Sequence, residues 1–202
     1  MLKFYYHPSP NPAKVALFLE ESGLPYETET VDLKTKLTGS GQDYWTINPK
    51  GYVPALLLDS GELLTEGPAI VQYVADQAPD KHLAPANGTL ARYQLQAWLT
   101  FISTELHKNF SPLFNPATPD SFKALTKDRL LGRLAWVDSQ LAGKDWLMGS
   151  DFTVADGYLY TVTNWPSRVG VDMSGFPNIA AFRARAGARP GVQAALRAEG
   201  LI

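Results

Sequence analysis

Cysteine is absent from all 202 residues, which excludes disulfides, thiolate metal sites and a cysteine nucleophile. Histidine is scarce, with His7, His82 and His107 the three present. They are dispersed and show no HExxH spacing, so no metal is expected. Net charge is only −2 and the isoelectric point lies near 5.9, which argues against nucleic acid as a partner. No segment approaches the ~20 apolar residues that span a bilayer. Pro8, Pro10 and Pro12 break the start before a signal-peptide core forms. A cytoplasmic protein with no membrane partner is the expectation. Gly39 and Gly41 lack the third glycine and the strand–turn–helix setting of a dinucleotide fingerprint. No internal repeat and no low-complexity tract is found.

The chain is long enough for one large domain or two small ones. Its most informative stretch is INPKGYVPALLLDSGELLTEGPAIVQYVADQ, residues 47–77. Asn48-Pro49-Lys50-Gly51 is a turn by composition. Apolar runs at 55–58 and 63–64 flank Asp59-Ser60-Gly61 and predict a β-hairpin. Gly67-Pro68 then opens a helix, because proline is preorganised for the first helical position and has no N–H to leave unpaired there. Ile70, Val71, Tyr73 and Val74 follow helical spacing, and the helix should stop before Pro79. Upstream, Leu2–Tyr6 reads as a strand, Ala13–Ser22 as a helix closed by Gly23, and Tyr26–Val31 as a second strand. The βαβ–ββα order predicts a thioredoxin-like α/β domain over residues 1–80, with a short helix at Tyr44-Trp45 inside the polar segment 32–48.

The composition of residues 79–88 is that of a linker, and an all-helical domain is expected over 87–202. Its helices are predicted at Ala91–Phe110, Phe122–Leu141, Tyr158–Trp165, Ile179–Ala188 and Gln193–Glu199. Thr153 and Asp156 stand three apart ahead of the third, in the pattern of an N-capping box. That assigns Asp156 to folding rather than to catalysis.

Three features of residues 47–77 suit a small peptide. A proline directly ahead of a strand, if cis, turns the chain and leaves the Val53 N–H and C=O to pair with an extended ligand. The N–H groups at the start of the Pro68 helix suit a carboxylate, and Glu66 beside them suits an ammonium. An ordinary hairpin and helix with a turn proline would have the same pattern.

The stretch NPKGYVPALLLDSGELLTEGPAIVQYVAD resembles the glutathione-binding domain of cytosolic glutathione S-transferases, particularly the bacterial beta class, and the resemblance extends over nearly the whole chain. It implies a cis Pro54, pairing of Val53 with the cysteinyl backbone of glutathione, and a γ-glutamyl site at Glu66-Gly67. It further implies that Lys36 meets the glycyl carboxylate and that the protein is a homodimer. In the beta class an Asn at the position of Thr100 crosses the dimer interface to glutathione. Thr100 is shorter, and Thr104 and Lys108 lie on about the same face. Phe152-Thr153-Val154-Ala155-Asp156 matches the family segment that starts a buried central helix.

The implied activity is conjugation of glutathione, as co-substrate, to a hydrophobic electrophile. Phe110, Phe114 and Trp165 are the candidate apolar lining for that electrophile, although their spacing also suits core packing. A free thiol has a pKa of about 8.5, and lowering it by two units takes roughly 2.7 kcal/mol of anion stabilisation. The donors must stand near the start of the first helix, where the helix dipole also favours an anion. Candidates there are Tyr5, Tyr6, Ser9 and Asn11.

The beta class has a cysteine where this chain has Asn11. Ser9-Pro10-Asn11-Pro12-Ala13-Lys14-Val15 is closer to the Thr/Ser-Pro-Asn segment of the bacterial nu class, whose hydroxyl and amide approach the sulfur. Glu105-Leu106-His107-Lys108 resembles a beta-class segment whose histidine points toward that sulfur. Ser9, Asn11 and His107 are therefore the catalytic candidates. Glutathione-dependent disulfide or peroxide reduction, and a non-catalytic binding scaffold, are the alternative functions.

Overall fold

The computed structural model describes residues 1–7 and 14–202. Their contacts group Met1–Lys81 with Pro190–Ile202 as one compact unit and His82–Arg189 as another.

In the first unit, β1 (Leu2–Tyr6), α1 (Lys14–Ser22), β2 (Tyr26–Thr30), β3 (Ala55–Leu57), β4 (Leu63–Thr65) and α2 (Gly67–Gln77) follow the expected order. The sheet order is β2-β1-β3-β4, with β1 parallel to β2 and both later pairs antiparallel. This is the thioredoxin-like arrangement. Phe4 pairs with Leu56 and Tyr5 with Ala55, and because strand side chains alternate, each pair serves a different face. On one face, α1 and α2 pack on each other and α2 on β3 and β4, burying Val15, Leu17, Phe18, Leu19, Ile70, Val71 and Val74 completely. On the other, Tyr5 and Ala55 join Val31 and Tyr44 in a second apolar cluster with Ile47, Val53, Leu57 and Leu63. That cluster anchors the otherwise irregular segment between β2 and β3.

In the second unit, α3 (Leu90–Phe101) is capped by Thr89, whose hydroxyl accepts the Arg92 N–H at 3.2 Å. A π-helical turn, Ile102–His107, connects it to α4 (Lys108–Phe114). The single helix expected over 91–110 is thus interrupted, and it runs past Phe110 with Pro112 inside it. Then follow α5 (Asp120–Leu141), α6 (Val154–Thr163) and α7 (Pro177–Gly187). Every residue of α6 is buried; it begins at the Thr153 capping box as expected and stops before Trp165 because Asn164 caps it ahead of Pro166. Asp156 accepts hydrogen bonds from the Thr153 N–H (2.8 Å), the Thr153 hydroxyl (2.9 Å) and the Leu147 N–H (2.8 Å). Its role is to fasten the preceding loop to this helix.

The last helix, α8 (Pro190–Ala198), packs on α1. The sequence reading placed residues 87–202 in one helical domain; here the fully buried Val192 and Ala195 belong to the first unit instead. Pro190 stands at the start of α8 rather than between helices, the position where proline fits without loss. Among the described residues, no helix is long and apolar enough to cross a membrane.

Candidate active site

In the first unit the predicted positions gather around two loops that frame the hairpin. The Asn48–Gly51 turn is closed by a Gly51 N–H to Asn48 carbonyl bond of 2.8 Å. Gly51 has φ 65°, and a Cβ there would lie 2.5 Å from the Trp45 ring, so this turn accepts only glycine. The Tyr44 hydroxyl and the Asn48 amide both donate to the Tyr52 carbonyl at 2.8 Å. These bonds fix the chain immediately before Val53. The Val53–Pro54 peptide bond is cis, and β3 begins at Ala55. Val53 therefore stands outside the ladder, with no backbone hydrogen bond among the described residues. The Lys36 ammonium donates to the Gly51 carbonyl at 2.8 Å and lies 5.5 Å from the Trp45 ring centre. It braces the turn and keeps two further donors.

The second loop is the entry to α2. Glu66 precedes the helix with φ 68° and ψ 109°, a backbone region that costs a non-glycine residue on the order of 1–3 kcal/mol. Its carbonyl accepts the N–H groups of Ala69 (2.9 Å) and Ile70 (3.0 Å). Its carboxylate is 70% exposed and pairs with the Lys50 ammonium at 2.8 Å. Lys14 was not singled out from the sequence. It is 8% exposed, and its pKa is lowered to about 8 by burial, with the Glu66 charge opposing that shift. Two signals were available: its place in the segment 9–15 compared with the nu class, and its position four residues before Phe18 on the apolar face of α1.

In the second unit, His107 ends the π-helical turn. Such turns insert an extra residue per repeat and re-aim the side chains they carry. The His107 Nδ1 lies 2.7 Å from the Tyr158 hydroxyl, and its ring meets the edge of Trp165 at 4.7 Å between centroids. Tyr158, on buried α6, is 1% exposed and was missed; no local signal links residues 51 positions apart. Phe110, Phe114 and Trp165 do come together, at centroid separations of 5.4–6.2 Å. Phe110 is 1% exposed and Phe114 47%, so the former packs as core and the latter presents a face. The Thr104 hydroxyl donates to the Thr100 carbonyl at 3.0 Å, a bond within its own helix. Ser9 and Asn11 lie outside the described residues. Among those described, no group of three or more His, Asp or Glu side chains is placed to hold a metal.

Comparison with known proteins matches residues 8–77 to the N-terminal domain and 101–190 to the C-terminal domain of glutathione S-transferases. Glutathione S-transferase GstA of Escherichia coli O157:H7 is 45% identical over 99% of this chain and 100% of its own length. The chain belongs to the glutathione S-transferase family. Among solved structures, BphK, a bacterial glutathione S-transferase in a ternary complex, is 53% identical with a TM-score of 0.94, covering 98% of this chain and 99% of BphK. A sphingomonad glutathione S-transferase complexed with glutathione is 46% identical with a TM-score of 0.93, covering 99% and 100%. In this family frame, the first unit has a backbone edge at Val53, a carboxylate at Glu66 and a helix start at Gly67. The second offers an imidazole held by a phenol beside an aromatic cluster.

Proposed function

We propose that this glutathione S-transferase conjugates the glutathione thiolate to hydrophobic electrophiles. The observation that carries the reading is the Val53 backbone, unpaired among the described residues, in the same unit as the Glu66-Gly67 helix start. An extended tripeptide adds to such an edge by main-chain pairing. Glu66 then takes the γ-glutamyl ammonium, the start of α2 its carboxylate, and Lys36 the glycyl carboxylate. The sphingomonad relative, solved with glutathione, supports this choice of ligand. In the second unit Phe110, Phe114 and Trp165 are proposed to meet the electrophile, with His107, oriented by Tyr158, as the polar group there.

Ser9 and Asn11 are proposed to activate the sulfur. An amide and a hydroxyl both donate to a thiolate, and each should stabilise the anion by about 1–2 kcal/mol. Ser9→Ala or Asn11→Ala is expected to raise the bound thiol's pKa by roughly one unit. Turnover at pH 6.5 then falls about tenfold and partly recovers at pH 8.5. Ultraviolet thiolate absorbance of bound glutathione against pH measures the shift directly. A profile unmoved in both variants but moved in Tyr5→Phe or His107→Ala would reassign the donor.

A second reading, reduction of a disulfide or peroxide, draws on the resemblance carried by Ser9-Pro10-Asn11 and needs no protein cysteine, since two glutathione molecules can supply both sulfurs. Oxidised glutathione as the product, in place of a thioether, distinguishes the two reactions. The chain is further proposed to be a homodimer in which Thr104 and Lys108 reach the partner's glutathione. Light scattering at micromolar concentration should give twice the chain mass, and a monomer would remove that role from both residues.

A further inference from the structure

The start of α2 is short of donors for an anion. Pro68 has no N–H, and those of Ala69 and Ile70 are already given to the Glu66 carbonyl, which leaves the Gly67 N–H. Beside it stands Lys14. A Cβ built on Gly67 would lie 2.2 Å from the Lys14 Cε and 2.7 Å from its Nζ. The lysine tip therefore occupies the volume that a side chain at position 67 would fill. We infer that Lys14 is a specificity-determining residue of the glutathione site, its ammonium binding the α-carboxylate of the γ-glutamyl end beside Gly67. The inference rests on the proposed function and adds to it a recognition residue contributed by α1.

Charge and chemistry fit this assignment. An ammonium has three donors, so a bond within the protein leaves others for a ligand. Glu66, the acidic group whose charge acts on Lys14, is matched to the ligand's ammonium, and Lys14 to the adjacent carboxylate. The pair thus reads the two charges of an α-amino acid head in order. A buried ammonium is also a burden to the fold: desolvation holds its pKa near 8, and methionine would fill the same space at no such cost.

The test is calorimetric titration at pH 7 with two ligands. One is glutathione; the other is its analogue with 4-aminobutyryl in place of γ-glutamyl, which keeps the ammonium and lacks the α-carboxylate. The unsubstituted protein should bind the analogue about 10- to 150-fold more weakly, the range for a hydrogen bond to a charged group. Lys14→Met should lose a similar factor for glutathione and change little for the analogue, while Lys14→Arg recovers part of the preference. The thermal midpoint of Lys14→Met should stay level or rise by a few degrees. Equal weakening of both ligands in Lys14→Met and Lys14→Gln, with a lower midpoint, would mark Lys14 as structural and overturn the proposal. Indifference of the unsubstituted protein to the α-carboxylate would overturn it as well, whether or not the variants fold. Failure to bind glutathione at all would instead remove the proposed function, and this inference with it.

Discussion

At pH 4, replacing Asp156 with alanine should destabilise the folded chain by about 3–5 kcal/mol, the range for breaking a buried network. Its carboxylate is fully buried and takes three hydrogen bonds, two from the Thr153 N–H and hydroxyl and one from the Leu147 N–H. Alanine would leave all three donors without an acceptor, and each orphaned donor costs about 1–3 kcal/mol. Asp156→Asn should lose less, because its carbonyl oxygen still serves one side of the network. The pH dependence differs too. Burial pushes the Asp156 carboxyl up from 3.8 to about 6 in the folded state. Its contribution is therefore fully present below about pH 4 and is lost as pH rises through 6, by up to about 3 kcal/mol. The asparagine variant lacks this slope. Urea unfolding followed by helix circular dichroism between pH 4 and 7 measures both effects at fixed protein concentration. A loss under 1 kcal/mol in the alanine variant at pH 4 would show that the network contributes little.

The sheet and most helices were legible because their signals are local. The βαβ–ββα order follows from alternation and from Gly67-Pro68 and Gly23, whose chemistry acts within a turn. The break at 102–107 was not, since Ile102, Leu106 and Phe110 keep a spacing of four that suits an unbroken helix. An inserted residue in the hydrogen-bond ladder leaves no trace in that pattern. The docking of α8 on α1 was equally hidden: its apolar positions, Val192 and Ala195, resemble those of every other helix, and nothing local names their partner.

The candidate site divides in the same way. Val53-Pro54 and Glu66-Gly67 are contiguous and could be read as motifs. Tyr158 could not, and Lys14, although it lies in the segment 9–15, gave no sign of its link to Gly67, because each acts on residues some fifty positions away. A lysine opening an apolar helix looks like a solvated end until the glycine facing it is known.

Glu66→Ala and Glu66→Gly should separate binding from folding at one position. Either change removes the carboxylate proposed to hold the γ-glutamyl ammonium, and glutathione affinity should fall by about 1.5–3 kcal/mol, or roughly 10- to 150-fold. Their effects on stability should differ. The ion pair with Lys50 joins two exposed side chains, 52% and 70% accessible, and such pairs are worth about 0–1 kcal/mol. Alanine retains the strained backbone at φ 68° and should leave stability within about 1 kcal/mol of the parent. Glycine relieves that strain, and after its greater entropy in the unfolded chain is counted, a net gain of about 0.5–1 kcal/mol is expected. Titration with the glutaryl analogue of glutathione, which lacks the ammonium, supplies the control. The parent should bind it as weakly as Glu66→Ala binds glutathione, and the variant should not discriminate between the two ligands. Unchanged glutathione affinity in folded Glu66→Ala would sink the assignment of the γ-glutamyl site. A Glu66→Gly variant that binds poorly yet is more stable than its parent would show that the fold tolerates this glutamate for its ligand, since a residue retained for stability alone would lose both together.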